Sequence, residues 1–235
     1  MRLDQYLVEK GFVDSRTKAQ NLIKSEKVSV AGKTITKPAF KVFDEVVELT
    51  DEKIYVSRAA KKLKDFLPSL SFKVAGMNAL DIGASTGGFT QILLEEGVES
   101  VTCVDVGSGQ LHESLQNDRR VINFEKMDIR DYPTQKKFEL ITSDVSFISL
   151  LHILPSINTL SSRYIILLFK PQFEVGKDVK RDSNGVVVDL KAIKSAQEKF
   201  ESATAALGWK MLHHEPASIS GKEGNQEECY CFEKC

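Results

Sequence analysis

Long apolar runs are missing from this chain. The longest is Tyr164–Phe169, six residues, far short of the ~20 that a membrane helix needs. No helical membrane span is expected. The N-terminus MRLDQYLVEKG carries Asp4 and Glu9 where a signal peptide would have its apolar core, so a cytoplasmic protein is expected. Cysteine is scarce: Cys103, Cys229, Cys231 and Cys235. In a reducing compartment they make no disulfide framework. Cys229-x-Cys231-x3-Cys235 could in principle hold zinc, but no CxxC pair and no nearby His completes a tetrahedral set. Plain thiols and no metal are expected. Charge of one sign is missing too: 32 Lys+Arg against 33 Asp+Glu leave −1. That neutrality hides a split. Residues 1–64 hold 14 basic and 9 acidic side chains, a net of +5, and the remainder nets −6. A basic quarter joined to an acidic body suggests two modules with different partners.

In the basic quarter, Leu3, Tyr6 and Leu7 fall at helical spacing and Gly11 follows as a stop. Asp14 or Ser15 can cap a second helix to about Ser25. Arg16, Lys24 and Lys27 would share one side of it. Val28–Val30 and Thr34–Thr36 alternate around Ala31-Gly32 and predict a hairpin. Phe40/Val42 and Val46/Val47/Leu49 predict further short strands. Arg2, Arg16, Lys18, Lys24, Lys27, Lys33 and Lys37 could face phosphates, or could be an ordinary solvated face. The segments Arg2-Leu-Asp-x-Tyr-Leu7, Ser15-Arg-x-Lys-Ala19 and Val28-x-Val-x-Gly-Lys33 resemble the S4 RNA-binding domain. That resemblance implies a small α+β RNA-binding module over residues 1–50 and favours the phosphate reading.

A charged segment, residues 51–56, predicts a linker. From Ser57 to 235 strand-like and helix-like stretches alternate. Strands are expected at Asn78–Ile82, Val101–Val106, Val121–Lys126, Phe138–Asp144, Tyr164–Lys170, Trp209–His214 and Glu228–Glu233. Helices are expected from Ser57 to an end at Pro68, and at Gly88–Glu96, Gln110–Asn117, Ile148–Leu160 and Leu190–Leu207. This order predicts an α/β fold with a mainly parallel seven-stranded sheet and helices on both faces. Ligands on such sheets sit beyond the carboxyl ends of the strands.

The first such loop is Asp81-Ile-Gly-Ala-Ser-Thr-Gly-Gly-Phe89. Read as G-x-G-x-x-G, its middle position is Ser85. The missing glycine argues against a pyrophosphate and for a nucleoside ligand. Asp105 ends the next strand, where a carboxylate accepts hydrogen bonds from ribose hydroxyls. Asp81, Gly83, Ser85, Thr86, Gly87, Gly88, Phe89 and Asp105 together fit S-adenosylmethionine; a glycine loop needed only for packing is the alternative. Asp128 ends the third strand and could approach an adenine or simply cap a helix. Asp144 and Lys170 close two strands. A lysine ending five apolar residues is costly to leave unpaired, and Pro171 keeps it extended. Adjacent parallel strands would set Asp144 beside Lys170, as a structural ion pair or as part of a site. His213-His214 lies on an apparent strand without ligand-spaced partners and is expected at the surface or a sheet edge; His112 and His152 lie on expected helices, and structural roles are expected for them. Trp209 follows a helix end and is expected in the core. Residues 177–185 are expected to be a lid or a solvated loop.

Ser57-Arg-x-x-Lys-Lys-Leu63, Gly83–Phe89, Asp105-Val-Gly-x-Gly-Gln-Leu111, Asp144-Val-Ser-Phe-Ile-Ser-Leu150, Lys170-Pro-Gln-Phe-Glu-Val-Gly-Lys177 and Gly224-Asn-x-Glu227 occur in this order. Over essentially the whole chain this is similar to the TlyA (haemolysin A) family of rRNA methyltransferases, which join an S4 domain to an FtsJ/RrmJ-like 2′-O-methyltransferase domain. The resemblance implies a Rossmann-like catalytic domain over 57–235 and S-adenosylmethionine, with Asp144 also at the cofactor. It implies a Lys-Asp-Lys-Glu tetrad on Lys62, Asp144, Lys170 and Glu227, and a cytidine ribose of rRNA within ribosomal subunits as substrate. The span of the chain resembles the shorter form, associated with the 23S target. Arg58 and Lys177 would add RNA contacts, and no obligate protein partner is implied. A ribose hydroxyl must lose its proton as it attacks, and a lysine serves as base where burial or a neighbouring cation disfavours its charge. Lys170 is the expected base. A non-catalytic RNA-binding assembly factor and a membrane-active haemolysin are the rival readings.

Overall fold

A computed structural model describes residues 1–49 and 55–234. Most of the expected linker, residues 51–54, and Cys235 lie outside the described residues. The chain folds as two compact units, Met1–Ile54 and Tyr55–Cys235.

In the first unit, α1 (Leu3–Glu9) buries Leu3 and Leu7 at i, i+4. In α2 (Arg16–Lys24) the N-cap Ser15 accepts from the Lys18 amide, satisfying one of the first-turn donors. Lys27 falls beyond the end of α2, so it does not share its face with Arg16 and Lys24. β1 (Val28–Val30) and β2 (Lys33–Thr34) form the expected hairpin, with Ala31 and Gly32 both at positive φ. β3 (Val47–Leu49) pairs with the other edge of β1. The expected strand at Phe40/Val42 is absent apart from an isolated bridge between Arg2 and Lys41. The reason is that this segment caps α1 instead of extending the sheet. The Leu3 amide donates to the Phe40 carbonyl at 2.7 Å and the Asp4 amide to that of Pro38 at 3.1 Å, which satisfies two helix-terminal donors. Asp4 is fully buried and its carboxylate accepts from Arg2, Arg16 and Gln20. The Arg2 hydrogen bond, with those of Gln20 and Arg16, holds Asp4 well below the usual carboxylate range.

The second unit opens with α3 (Arg58–Phe66), which stops one residue before a turn containing Pro68. Then follow β4 (Asn78–Ile82), α4 (Gly88–Glu95), β5 (Ser100–Val104), α5 (Glu113–Gln116), β6 (Val121–Phe124) and β7 (Phe138–Ser143). They lead to α6 (Leu154–Leu160), β8 (Ser161–Phe169), α7 (Pro171–Glu174), α8 (Leu190–Ala206), β9 (Trp209–Pro216) and β10 (Glu228–Lys234). The seven strands run in the order β6-β5-β4-β7-β8-β10-β9. The first five are parallel, and β10 is antiparallel to both neighbours. Alternate residues of each strand face opposite layers. Ala79 joins Leu63, Phe66, Ile92 and Leu93 on the α3/α4 side, and Leu80 and Ile82 join Ile157, Phe200 and Trp209 on the α6/α8 side. The helix expected over 148–160 is broken, because Ser149 caps a short turn at Leu150–His152 and Pro155 starts α6. The helix expected over 110–117 shortens to α5.

Asp81 is buried in the middle of this sheet. Its two oxygens accept from Thr90 Oγ1 of α4 at 2.7 Å and Thr142 Oγ1 of β7 at 2.9 Å. Burial pushes its pKa up to about 6, against the pull of those two hydroxyls. Cys103, Cys229 and Cys231 are buried, and burial pushes each thiol up to about 12.

The two buried acids should shape stability in opposite ways. The Asp4 pKa is depressed on folding, so its stabilisation is complete above the ordinary aspartate value of 3.8 and is lost as pH falls below it. Asp4→Asn is expected to cost about 1–2 kcal/mol, kept modest because both arginines are about half exposed. Hydrogen exchange of the Leu7 and Ile23 amides reads this, and unchanged protection at neutral pH would refute it. The Asp81 pKa is raised on folding, so stability falls as pH climbs from 3.8 to about 6. Asp81→Asn should flatten that slope and raise neutral-pH stability, on the order of 2 kcal/mol. A lower melting temperature than wild type at pH 7.5 would count against it.

Candidate active site

The carboxyl ends of β4, β5, β7 and β8 carry the side chains of interest. The chain leaves β4 through Gly83 and enters α4 at Gly87, which has φ +93° as the helix N-cap. A side chain there would be strained and would overlap Leu115. At Gly88 an added Cβ would run into Ser57 Oγ and lie 2.9 Å from the Ala60 amide nitrogen, so this glycine lets the starts of α3 and α4 meet. Ser85 adopts φ +47° without being glycine. Its amide donates to Asp105 Oδ2 at 2.8 Å and its hydroxyl donates to Gln110 Oε1 at 2.9 Å. The other Asp105 oxygen accepts from the Gly107 amide at 2.7 Å. Asp105 thus ties two loops together, and each oxygen keeps a further lone pair for a ligand hydroxyl.

Two cavities open at this edge. The larger, about 400 Å³, has apolar walls from Ile82, Val104, Val106, Met127, Ile129 and Ile148, with Asp105 and Asp128 among its polar groups. The smaller, about 170 Å³, is lined by Ser57, Ser85, Thr86, Gly88, Phe89 and Lys170. Gly83, Ser85, Asp144 and Ser146 line both. Ser57 begins α3 but does not cap it, and its buried hydroxyl has no hydrogen-bond partner.

Beside the smaller cavity stand two buried lysine–carboxylate pairs. β7 and β8 are parallel neighbours, so Asp144 and Lys170 come together at their ends. Lys170 Nζ lies 2.7 Å from Asp144 Oδ1 and donates to Ser146 Oγ at 3.0 Å. The contact to Oδ1 is an ion pair without hydrogen-bond direction. Burial raises the Asp144 pKa above its ordinary value, opposed by the charges of Lys170 and Lys62. In the second pair Lys62 Nζ donates to Glu227 Oε2 at 2.5 Å. Gln172 Nε2 donates to the other oxygen at 3.0 Å. Lys62, Lys170 and Glu227 are 6%, 8% and 2% exposed. The adjacent Lys61 points outward to Asp65, and Glu228 pairs with His214.

The remaining expected residues spread more widely. The Asp81 carboxylate is engaged by Thr90 and Thr142 at the floor of the smaller cavity. Asp128 lines the larger cavity and also caps the turn at Ile129–Asp131, paired to Arg130. His213 and His214 sit on the edge strand β9 beside Glu215 and Glu228. Trp209 is buried. Lys24, Lys33, Lys37, Arg58 and Lys177 are exposed, Lys18 pairs with Asp14, and Lys27 is partly buried. Residues 177–188 form a tied hairpin rather than a loose loop. Arg181 donates to the carbonyls of Gln172, Gly176, Lys177 and Val179, and the Val187 amide donates to Asn225 Oδ1.

Residue patterns missed four contributors: Ser57, Ser146, Gln172 and Phe147. All four lie within the ordered motifs around Lys62, Asp144 and Lys170, and that proximity was the signal that could have found them. Phe147 is 92% exposed at φ +67°, lines the larger cavity and lies 5.2 Å from the Phe173 ring. A bare aromatic held in that conformation leaves no trace in hydropathy.

Comparison with known proteins follows the same division of the chain. The FtsJ-like methyltransferase family matches residues 55–234 and the S4 domain matches residues 1–43. The 23S rRNA (cytidine-2′-O)-methyltransferase TlyA of Campylobacter jejuni is 46% identical over 254 residues, covering 100% of both chains. The 16S/23S rRNA (cytidine-2′-O)-methyltransferase TlyA of Mycobacterium tuberculosis is 39% identical, covering 96% of this chain and 87% of that one. A solved structure described as a hemolysin from Streptococcus thermophilus has a TM-score of 0.73 at 32% identity, covering 100% of this chain and 88% of that one. With a glycine-loop cavity beside two buried lysine–carboxylate pairs, and with relatives aligned from end to end, this chain belongs to the TlyA family of FtsJ-like methyltransferases.

Proposed function

We propose that this protein transfers a methyl group from S-adenosylmethionine to the 2′-oxygen of a cytidine ribose in rRNA. The observation that carries the reading is the pair of buried ion pairs, Lys170–Asp144 and Lys62–Glu227, beside the Gly83–Phe89 loop. The 23S target is favoured because the Campylobacter relative, named for that RNA alone, matches across its whole length. The work divides between residues 1–50 as an S4-like RNA-binding domain and 57–235 as the methyltransferase domain, acting on ribosomal subunits in the cytoplasm. Among the described residues no helix is long and apolar enough to cross a membrane, and nothing here favours membrane damage as the activity.

The cavities fit the cofactor. Apolar walls and Asp105 in the larger one suit an adenosine, with Asp105 toward the ribose hydroxyls and Asp128 toward the base. The unpartnered hydroxyl of Ser57, with Ser85, Thr86 and the glycines, suits the polar amino-acid end in the smaller one. When bound, S-adenosylmethionine supplies an electrophilic methyl group on a sulfonium. Asp144, lining both cavities, offers negative charge beside it. Lys170 stands at the same place, where its amine, having first released the ammonium proton to solvent, takes the proton of the 2′-hydroxyl. Asp144 and Ser146 orient its amine, and Glu227 orients that of Lys62, whose charge acts on the same cluster. The exposed Phe147 face at the cavity mouth can stack on a nucleobase. Arg2, Arg16, Lys18, Lys24, Lys27, Lys33 and Lys37 of the first unit, with Arg58 and Lys177, would meet phosphates.

Lys170→Ala is expected to abolish methyl transfer while cofactor affinity stays within a few-fold of wild type by calorimetry. Turnover at more than a tenth of the wild-type rate would remove Lys170 from the role of base. Phe147→Ala is expected to raise the KM for RNA about tenfold, the equivalent of ~1.4 kcal/mol of stacking. Mapping rRNA 2′-O-methylation with and without the gene identifies the nucleotide. No change at any ribose would favour a non-catalytic RNA-binding factor.

A further inference from the structure

The motif Lys170–Lys177 contributes more than its lysine. Pro171, at the first position of α7, presets the helical turn directly after Lys170. Two side chains of this four-residue helix then reach in opposite directions. Glu174 accepts from the Leu150 amide at 2.8 Å and from Ser149 Oγ at 2.5 Å, fastening α7 to the loop that follows Asp144. Gln172 Nε2 donates to Glu227 Oε1 at 3.0 Å. Arg181 donates to the Gln172 carbonyl at 3.2 Å, closing α7 from its far end. One turn of helix therefore touches the ends of three separate segments that carry Asp144, Lys170 and Glu227.

Gln172 is the unusual member. A carboxylate only accepts, so its contact with Glu227 fixes the amide with Nε2 toward the acid. That leaves Gln172 Oε1 buried without a partner. An apolar side chain would avoid the unsatisfied oxygen, so its presence in the interior calls for a compensating role. The compensation lies at Glu227. With Gln172 Nε2 on Oε1, the Lys62 ammonium meets Oε2, at 2.5 Å, so the carboxylate is held at both oxygens. The carboxylate cannot swing, and the position of the lysine follows from it.

We propose that Gln172 is a positioning residue for methyl transfer: its amide locks the Glu227 carboxylate, and through it the Lys62 ammonium, in the working orientation. This rests on the methyl-transfer reading above. It assigns Gln172 no contact with the reacting atoms.

The test uses the full-length protein, tritiated S-adenosylmethionine and large ribosomal subunits lacking the modification. Gln172→Ala frees one oxygen of Glu227, and kcat should fall at least tenfold with cofactor Kd within twofold of wild type. Gln172→Glu sets two carboxyl groups about 3 Å apart, which share a proton until pH rises far enough to ionise both. While that proton is held, the variant can still donate to Glu227. Measured against wild type at the same pH, it should come nearest to wild-type activity at the acidic end and fall further behind as pH climbs, so that the variant-to-wild-type rate ratio declines with pH. Calorimetric cofactor binding serves as the folding control for both variants, and the Gln172→Glu profile stands by itself if Gln172→Ala does not fold. A Gln172→Ala kcat within twofold of wild type, or a Gln172→Glu profile of wild-type shape, overturns the proposal. Wild-type protein run in parallel separates the two readings. If it transfers no methyl group to the subunits, the methyl-transfer reading fails; if it does while Gln172→Ala turns over normally, only the role of Gln172 fails.

Discussion

Putting two ammonium groups into the edge of an apolar sheet is the constraint around which the second unit is arranged. Lys62 and Lys170 are almost fully covered, and a charge so placed is tolerable only when paired and hydrogen-bonded. Each lysine therefore dictates a partner. Lys170 needs β7 beside β8, which sets Asp144 at 2.7 Å. Lys62 needs Glu227, which precedes β10 and arrives only because that strand inserts antiparallel between β8 and β9. The order of the sheet and the composition of the cluster are thus parts of one solution.

The same economy of polar groups recurs one layer away. Asp105 ties Ser85 to Gly107, and Asp81 ties α4 to β7. In each case an acid near the carboxyl end of a strand holds backbone or hydroxyl donors from two neighbouring segments. This stiffens the loops around the cavities and leaves Ser57 Oγ unmatched. A ligand donor or acceptor would complete it, and the polarity of the smaller cavity differs accordingly from the apolar walls of the larger one.

The first unit solves a different problem. With about 50 residues it has a small core, Leu3, Leu7, Ala19, Ile23, Val28 and Val30 at its centre. A single buried acid, Asp4, gathers Arg2, Arg16 and Gln20 around the start of α1. Two of the basic residues expected to meet RNA are therefore also structural. Their side chains remain about half exposed, so one side chain can serve both demands.

Much of this was legible along the chain because it depends on neighbours. The alternation of strands and helices, the glycine loop opening α4, and Asp144 and Lys170 as strand-ending residues follow from hydropathy periods and from the backbone limits of glycine and proline. Tertiary structure decided what depends on distance. It selected Lys62 over the adjacent Lys61 by turning one inward and the other toward Asp65, and it joined Lys62 to Glu227 across 165 positions. It also spent the Asp81 carboxylate inside the sheet and left Phe147 bare at the cavity mouth. It turned the stretch around Phe40 from a strand into a cap for α1. The reason is physical: a local pattern records which face of an element is buried, whereas the partner of a buried charge is chosen by whichever chain segment packing brings within about 3 Å.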